Sequence, residues 1–308
     1  MKSGNEKRRK IIDISIPALF LVAFILIFLF WWPGVVGQIL KERADRDEME
    51  GMIEDLPYLR GEEAVIINSD EGGDETEIIP VERTLFEYIE VVDSCGPYFE
   101  GECLNVRSGP GLDFSVLTQL REGQVLKVGG KVERNGDTWY RIVFDEWIRY
   151  PERVQGEWYV ISDHVDILYE EGVRDLESCV EETPDKTIVV TRSEQKLYAY
   201  EDEELVMEFD ISTGVELTPT PRGEFNIFRK TPTRYMQGPL PGITNQYWDL
   251  PGVPWNLYFT RQGAVIHGAY WHDAFGSPYS SGCVNVRPDE ARKLYNWAQL
   301  GTKVIVRD

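Results

Sequence analysis

The chain has 308 residues, enough for two domains, or one domain with long appendages, at roughly 100–200 residues per domain. Hydrophobic residues make up 42% and charged residues 28%, an ordinary globular balance that excludes wholesale disorder. The formal net charge of −21 speaks against a nucleic-acid partner, because phosphate binding needs clustered Lys and Arg.

The charge is unevenly placed. Residues 1–13 carry +3, residues 33–186 carry −22 and residues 187–308 carry −2. Four cysteines are too few for a disulfide-built scaffold.

Residues 14–40 contain no charged side chain, and the densest stretch, 16–32, reads IPALFLVAFILIFLFWW. About 17 such residues is the lower edge of a bilayer-spanning helix, and the uncharged flanks extend it. Pro17 suits the first turn of that helix. Trp31 and Trp32 suit a water interface, and Lys7, Arg8, Arg9 and Lys10 precede the span. By the positive-inside rule, residues 1–11 are expected to be a cytoplasmic tail, 12–33 a transmembrane anchor, and everything after them external. A cleaved signal peptide is the alternative. Its apolar core would be about 7–15 residues, shorter than this one, although 35–37 reads Val-Val-Gly, a small-residue site. Residues 34–83 are expected to be an acidic linker: the run Asp70-Glu71-Gly72-Gly73-Asp74-Glu75 cannot form a core.

Residues 84–170 show short alternating stretches with turn signals between them. Leu104-Asn105-Val106-Arg107 runs into Ser108-Gly109-Pro110-Gly111, and strands are expected at 116–120, 124–128, 139–143 and 157–160. Asn135-Gly136-Asp137 is a hairpin signal. The runs LNVRSGPGLDFSVLTQLREGQ, DTWYRIV and EWYVISDHVDIL resemble a bacterial SH3-like domain, a small β-barrel, with an insertion at 148–155. That resemblance implies either binding of cell-wall peptides or a spacer. Cys95 and Cys103 flank GPYFEGE and are placed to close a small disulfide loop in an oxidising exterior. Cys179 lies in an acidic linker spanning 171–186, without an evident partner.

Residues 187–308 carry the chemistry. Strands are expected at 187–191, 196–200, 205–212, 224–228, 255–260, 264–267 and 303–306, and a long functional loop at 231–254, rich in Pro, Gly and aromatics. The one clear helix is 288–299. Pro288 suits its first turn, Asp289 and Glu290 favour its N-terminal end, and Ala291, Leu294, Tyr295 and Ala298 form one apolar face. The class is mainly β with one packed helix.

The chain has three histidines, and two of them, His267 and His272, lie within 16 residues of Cys283. Cys283 follows Ser280-Ser281-Gly282, a glycine-bearing turn that permits close substrate approach. Backbone N–H groups on such a turn can stabilise an oxyanion. A thiol must lose its proton to attack, and a nearby imidazole can accept it. His267 ends a strand, which would fix its ring. A zinc site would use the same residue types, but no Cys-x-x-Cys or His-x-x-x-His spacing is present.

His267-Gly268, then Ser280-Ser281-Gly282-Cys283-Val284-Asn285, resembles the L,D-transpeptidase catalytic domain of the YkuD type, and the likeness extends over 187–308. Thr218-Pro219-Thr220-Pro221-Arg222-Gly223-Glu224-Phe225 is similar to that family's early turn and strand. The resemblance implies a β-sandwich-like fold and acyl transfer on peptidoglycan stem peptides, with no metal or organic cofactor. It implies Cys283 as nucleophile, His267 as base and then acid, and the Gly268 carbonyl as orienting group. Gly282 and Cys283 N–H groups would form the oxyanion hole, with Asn285 at a position the family fills with Asn or Arg. One position departs: Ser281 stands where many members have His, and whether His272 takes that place sterically stays open. Tyr235, Trp248, Trp255, Tyr270 and Trp271 are candidate cleft walls, with simple core packing as the alternative. Crosslinking, trimming of the stem by water, and a non-catalytic wall-binding role are the functions to be separated.

Overall fold

The computed structural model describes residues 85–175, 186–242 and 244–308. The expected tail, anchor and acidic linker, and Cys179, lie outside the described residues. Among the described residues no helix is long and apolar enough to cross a membrane. The described residues form one compact unit.

Its first half is a seven-stranded antiparallel sheet. The strands are β1 (Phe86–Val91), β2 (Leu104–Arg107), β3 (Val116–Leu120), β4 (Val125–Arg134), β5 (Asp137–Val143), β6 (Trp158–Ile161) and β7 (Val165–Glu170), in the order β3-β2-β6-β5-β4-β1-β7. The Asn135-Gly136 turn joins β4 to β5, with both residues at positive φ, as a two-residue hairpin turn requires. Alternation along the strands buries Ile89, Val106, Leu120, Leu126, Ile142, Trp158 and Val160 in one cluster. Cys95 and Cys103 are joined by a disulfide. The insertion holds a short 3-10 turn, Pro151–Arg153.

The second half is a two-sheet sandwich. β8 (Arg174–Asp175), β13 (Arg229–Leu240), β14 (Thr244–Tyr258), β15 (Val265–Gly268) and β16 (Val284–Val286) form one sheet, in the order β16-β15-β14-β13-β8. β9 (Lys186–Thr191), β10 (Lys196–Glu201), β11 (Glu204–Asp210), β12 (Gly223–Asn226) and β17 (Lys303–Arg307) form the other, in the order β11-β10-β9-β17-β12. The one α-helix among the described residues, α1 (Pro288–Trp297), buries Ala291, Leu294 and Tyr295. Its C-terminal end is closed from below. Buried Lys230 Nζ donates to the carbonyls of Tyr295 at 2.6 Å and Ala298 at 2.5 Å, which satisfies groups the helix leaves open.

One expectation is corrected. The long loop at 231–254 is a β-hairpin, β13 against β14, with register shifts at 234/236 and 238/240. Pro251 and Pro239 fall at these shifts, whereas Pro254 pairs in register with Thr233. The linker at 171–186 is also ordered at its ends: β8 pairs with β13 through Arg174↔Lys230 and Asp175↔Arg229, and Lys186 already belongs to β9.

The two halves share a core. Tyr88, Val125 and Leu168 of the first sheet join the same buried cluster as Trp255, Leu257, Leu294 and Tyr295. Thr233 Oγ1 donates to the Val125 carbonyl, and Gln124 Nε2 donates to the Pro251 carbonyl at 2.7 Å. Gly252, at φ 67°, sits where a Cβ would lie 2.8 Å from the Val125 carbonyl oxygen, so the hairpin can approach β4 this closely only with glycine. The insertion grips the hairpin. Tyr150 N–H donates to Gln237 Oε1 at 2.7 Å, Tyr150 Oη to the Pro239 carbonyl at 2.8 Å, and Arg153 to the Gly238 carbonyl at 2.8 Å.

Candidate active site

His267 and Cys283 are brought together by two short parallel strands. β15 pairs with β16 in the register Ile266↔Val284, His267↔Asn285 and Gly268↔Val286, so Cys283 immediately precedes the strand beside His267. Both strands are fully buried, which gives them rigid backbones. β16 is further pinned by reciprocal bonds between Ser212 and Asn285: Ser212 N–H to the Asn285 carbonyl at 2.9 Å, Asn285 N–H to the Ser212 carbonyl at 2.8 Å.

The His267 ring is wholly buried, and its Nδ1 lies 3.1 Å from the Gly268 carbonyl. A carbonyl only accepts, so Nδ1 carries the proton and Nε2 presents its lone pair. Among the described residues Nε2 has no hydrogen-bond partner. Burial pulls the ring's pKa down to about 4, against the smaller upward effect of the Gly268 carbonyl, with Arg234 and His272 adding to the fall. The resting imidazole is therefore neutral, a base whose buried Nε2 is unoccupied. Trp271, half-buried, lies with its ring 5.6 Å from that of His267.

Cys283 is the free cysteine of the described residues. It is partly exposed, yet the protein surrounds its sulfur closely: the thiol lies 3.8 Å from the Gly263 carbonyl, to which it donates. Burial pushes the thiol's pKa up, opposed by the Val265 backbone N–H and the charge of Arg234. The turn before it is built by hydroxyls. Ser280 Oγ donates to the Cys283 carbonyl at 2.6 Å and accepts the Gly282 N–H at 3.1 Å. Thr220 Oγ1 donates to the same carbonyl at 3.3 Å and accepts the Gly214 N–H at 2.9 Å. Gly282 has φ 117°, a conformation that L side chains rarely adopt. The Gly282 N–H expected in an oxyanion hole is thus engaged by Ser280 Oγ, because the tight turn folds that hydroxyl back over it. Ser281 is exposed and makes no recorded contact to either catalytic candidate.

His272 is buried and acts on a neighbour. Its Nδ1 accepts the Ala274 N–H at 3.1 Å, which puts the proton of the neutral ring on Nε2. The Asn285 side-chain amide lies 2.8 Å from Nε2. The atom placed there is Nδ2, a donor facing a donor, so this tautomer requires the amide turned to present its oxygen to Nε2–H. Burial lowers the His272 pKa to about 4, against a smaller opposing effect of Asp273. His272 and Asn285 thus brace each other beneath the reacting pair.

The expected cleft walls separate. Trp255 is a core residue, 1% exposed, with its ring 5.3 Å from that of Tyr295. Trp248 lies in the hairpin against Gly238, where a Cβ would sit 2.4 Å from the indole. Tyr235 is buried, stacked 5.1 Å from Phe144 of the SH3-like half. Tyr270 is also buried and donates to the Pro251 carbonyl at 2.6 Å. Tyr235 and Tyr270 line a cleft of about 510 Å³ between the halves, together with Arg121, Arg153, Trp158 and Asp249.

Sequence reasoning missed Arg234, the cation whose charge reaches both Cys283 and His267. It missed Thr220 and Ser280 as holders of the Cys283 turn, although both lie in runs that carry the family likeness. Among the described residues no three His, Cys, Asp or Glu side chains cluster as a metal site.

Two stretches of the chain match known protein families. Residues 185–306 match the L,D-transpeptidase catalytic domain family, YkuD, and residues 103–166 match the bacterial SH3 domain family. Two stretches of the chain are thus similar to known domains, one to a YkuD-type L,D-transpeptidase catalytic domain and the one before it to a bacterial SH3 domain. A putative L,D-transpeptidase YkuD of Bacillus licheniformis is 29% identical over 122 residues, 39% of this chain and 64% of that protein. A putative L,D-transpeptidase YqjB of Bacillus subtilis is 26% identical over 130 residues, 40% of this chain and 72% of that protein. Among solved structures, an Enterococcus faecium L,D-transpeptidase is 27% identical, covering 40% of this chain and 49% of that one, with a TM-score of 0.36. A Mycobacterium smegmatis L,D-transpeptidase is 20% identical, covering 59% and 95%, with a TM-score of 0.39. The chain spans less than two thirds of the first of these relatives, 64% of its length.

Proposed function

We propose that the protein is a membrane-anchored, cysteine-dependent L,D-transpeptidase that crosslinks peptidoglycan stem peptides outside the cytoplasmic membrane. The observation that carries this reading is the pairing of Cys283 with a buried His267 whose Nδ1 is fixed on the Gly268 carbonyl and whose Nε2 is unpartnered. The family match supports the reaction class. The uncharged stretch at 14–40 behind a basic N-terminus supports the location.

The steps follow from the protonation states. His267 Nε2 takes the Cys283 proton as sulfur attacks the carbonyl carbon of the stem's penultimate residue. The C–N bond to the terminal D-Ala breaks, and the imidazolium returns its proton to the leaving amine. A thioester on Cys283 remains. An amine of a neighbouring stem attacks it, losing its proton to His267, and the new amide forms as the thiol is regenerated. The Cys283 N–H is the backbone donor left for the developing oxyanion, since the Gly282 N–H is engaged. Ser280 and Thr220, by holding the Cys283 carbonyl, fix the direction in which that N–H points.

Product analysis tests the reading. Full-length protein incubated with disaccharide tetrapeptide should yield crosslinked dimer and free D-Ala, and Cys283→Ala should yield neither. Trimmed stems without dimer would make it an L,D-carboxypeptidase. Folded wild-type protein giving no product would leave a wall-binding module.

A further inference from the structure

The guanidinium of Arg234 is a charge without a counterpart. Arg234 is half-buried on β13, opposite Val253. Its guanidinium lies 5.5 Å from the Tyr258 ring. Tyr258 in turn pairs with Val265, the residue whose N–H reaches the Cys283 sulfur and which stands two before His267. The cation therefore lies beside the residue that pairs with the start of the His267 strand, and its charge reaches both His267 and Cys283. Among the described residues its nitrogens make no hydrogen bond or ion pair, and Tyr258 is the aromatic ring the cation lies over. An arginine stays charged at any ordinary pH, and a desolvated guanidinium left unpaired is costly.

The nearest carboxyl does not neutralise it. Glu146, on the segment after β5, accepts the Tyr235 N–H at 2.7 Å and, among the described residues, forms no ion pair with Arg234. Burial pushes its pKa up to about 8, more than Arg234 pulls it down, so near neutral pH it is mostly protonated. A forked donor beside a nucleophile, with no internal anion, fits a planar carboxylate supplied by a ligand.

Resting on the transpeptidase reading, we propose that Arg234 binds the free carboxylate of the donor stem's terminal residue and so makes the enzyme selective for stems that end next to the scissile bond. The scissile carbonyl and that carboxylate belong to adjacent residues, so one substrate reaches Cys283 and Arg234 together. The bound guanidinium also offsets the repulsion between this carboxylate and the thiolate formed as the reaction starts. Arg234 is thus a specificity-determining residue, supplied by the hairpin that the SH3-like half grips.

The test compares kcat/KM for two donors, a disaccharide tetrapeptide with a C-terminal carboxylate and the same compound as its C-terminal carboxamide, using the full chain. Wild-type protein should prefer the carboxylate by about 10- to 100-fold, the range expected for a charge-assisted hydrogen bond. Arg234→Gln should bring that ratio close to one, and Arg234→Lys should restore part of it. An unchanged ratio in Arg234→Gln, with both substrates slowed equally, would overturn the assignment and mark a structural role. Wild-type turnover without preference would overturn it while leaving the transpeptidase reading standing. Wild-type protein that turns over neither donor would overturn both.

Discussion

Alkylation of Cys283 by iodoacetamide, followed by peptide mapping from pH 5 to 10, should show a rate that keeps climbing through neutrality toward a midpoint above the ordinary thiol range. Two buried groups set this outcome. His267 falls from an ordinary 6.5 to about 4, which disfavours its imidazolium by about 3.4 kcal/mol, or roughly 300-fold, relative to an exposed ring. Burial pushes the Cys283 thiol the other way. The free protein therefore rests as thiol and neutral imidazole, and the proton moves only when substrate is attacked. Since the uncharged ring is the working form, kcat/KM should be flat from about pH 5 to 8, falling on the acid side as His267 protonates near 4. His267→Gln should leave the alkylation midpoint in place while abolishing turnover. An alkylation plateau reached by pH 6, lost in His267→Gln, would mean a preformed thiolate–imidazolium pair and would refute this account of the site.

Three further outcomes follow from the packing. Arg153→Ala removes a charged donor from the Gly238 carbonyl and should cost about 1.5–3 kcal/mol, read as faster amide exchange across the hairpin before global unfolding. Cys95→Ser with Cys103→Ser opens a loop of sequence separation 8 and should lower stability by about 2.5 kcal/mol on the chain-entropy estimate, measured by urea unfolding against the oxidised protein. Burial lowers Lys230 from 10.5 to about 7, so between those values the unfolded chain binds a proton that the folded one does not. Stability should then rise from pH 7 to 9 by up to about 2.7 kcal/mol from this group, and the rise should be missing in Lys230→Met.

What the sequence disclosed depended on how local the signal was. α1 was legible because Ala291, Leu294, Tyr295 and Ala298 share one face, and three of them, Ala291, Leu294 and Tyr295, are buried within it. The His267–Gly268 contact was expected from the family resemblance, whose motif carries both residues, and the spacing alone left the partner of the ring open. The hairpin was not: Pro232, Pro239, Pro241, Pro251 and Pro254, with Gly238, Gly242 and Gly252, erase the alternation that marks a strand. Its order comes from tertiary contacts, with β4 and with the 148–155 insertion, that no local pattern announces. Arg234 was hidden for the same reason, since nothing in its spacing marks it and its place beside Tyr258 exists only once the hairpin forms. Trp255 shows the converse, an aromatic beside the motif that the sandwich needs for its core.

Intact-protein mass spectrometry of the full chain mixed with disaccharide tetrapeptide tests the central claim most directly. The account predicts a covalent adduct of the stem minus D-Ala, mapped to Cys283, with one D-Ala released per adduct and none in Cys283→Ala. Folded protein whose Cys283 is open to alkylation, yet which forms no adduct and releases no D-Ala, would contradict it.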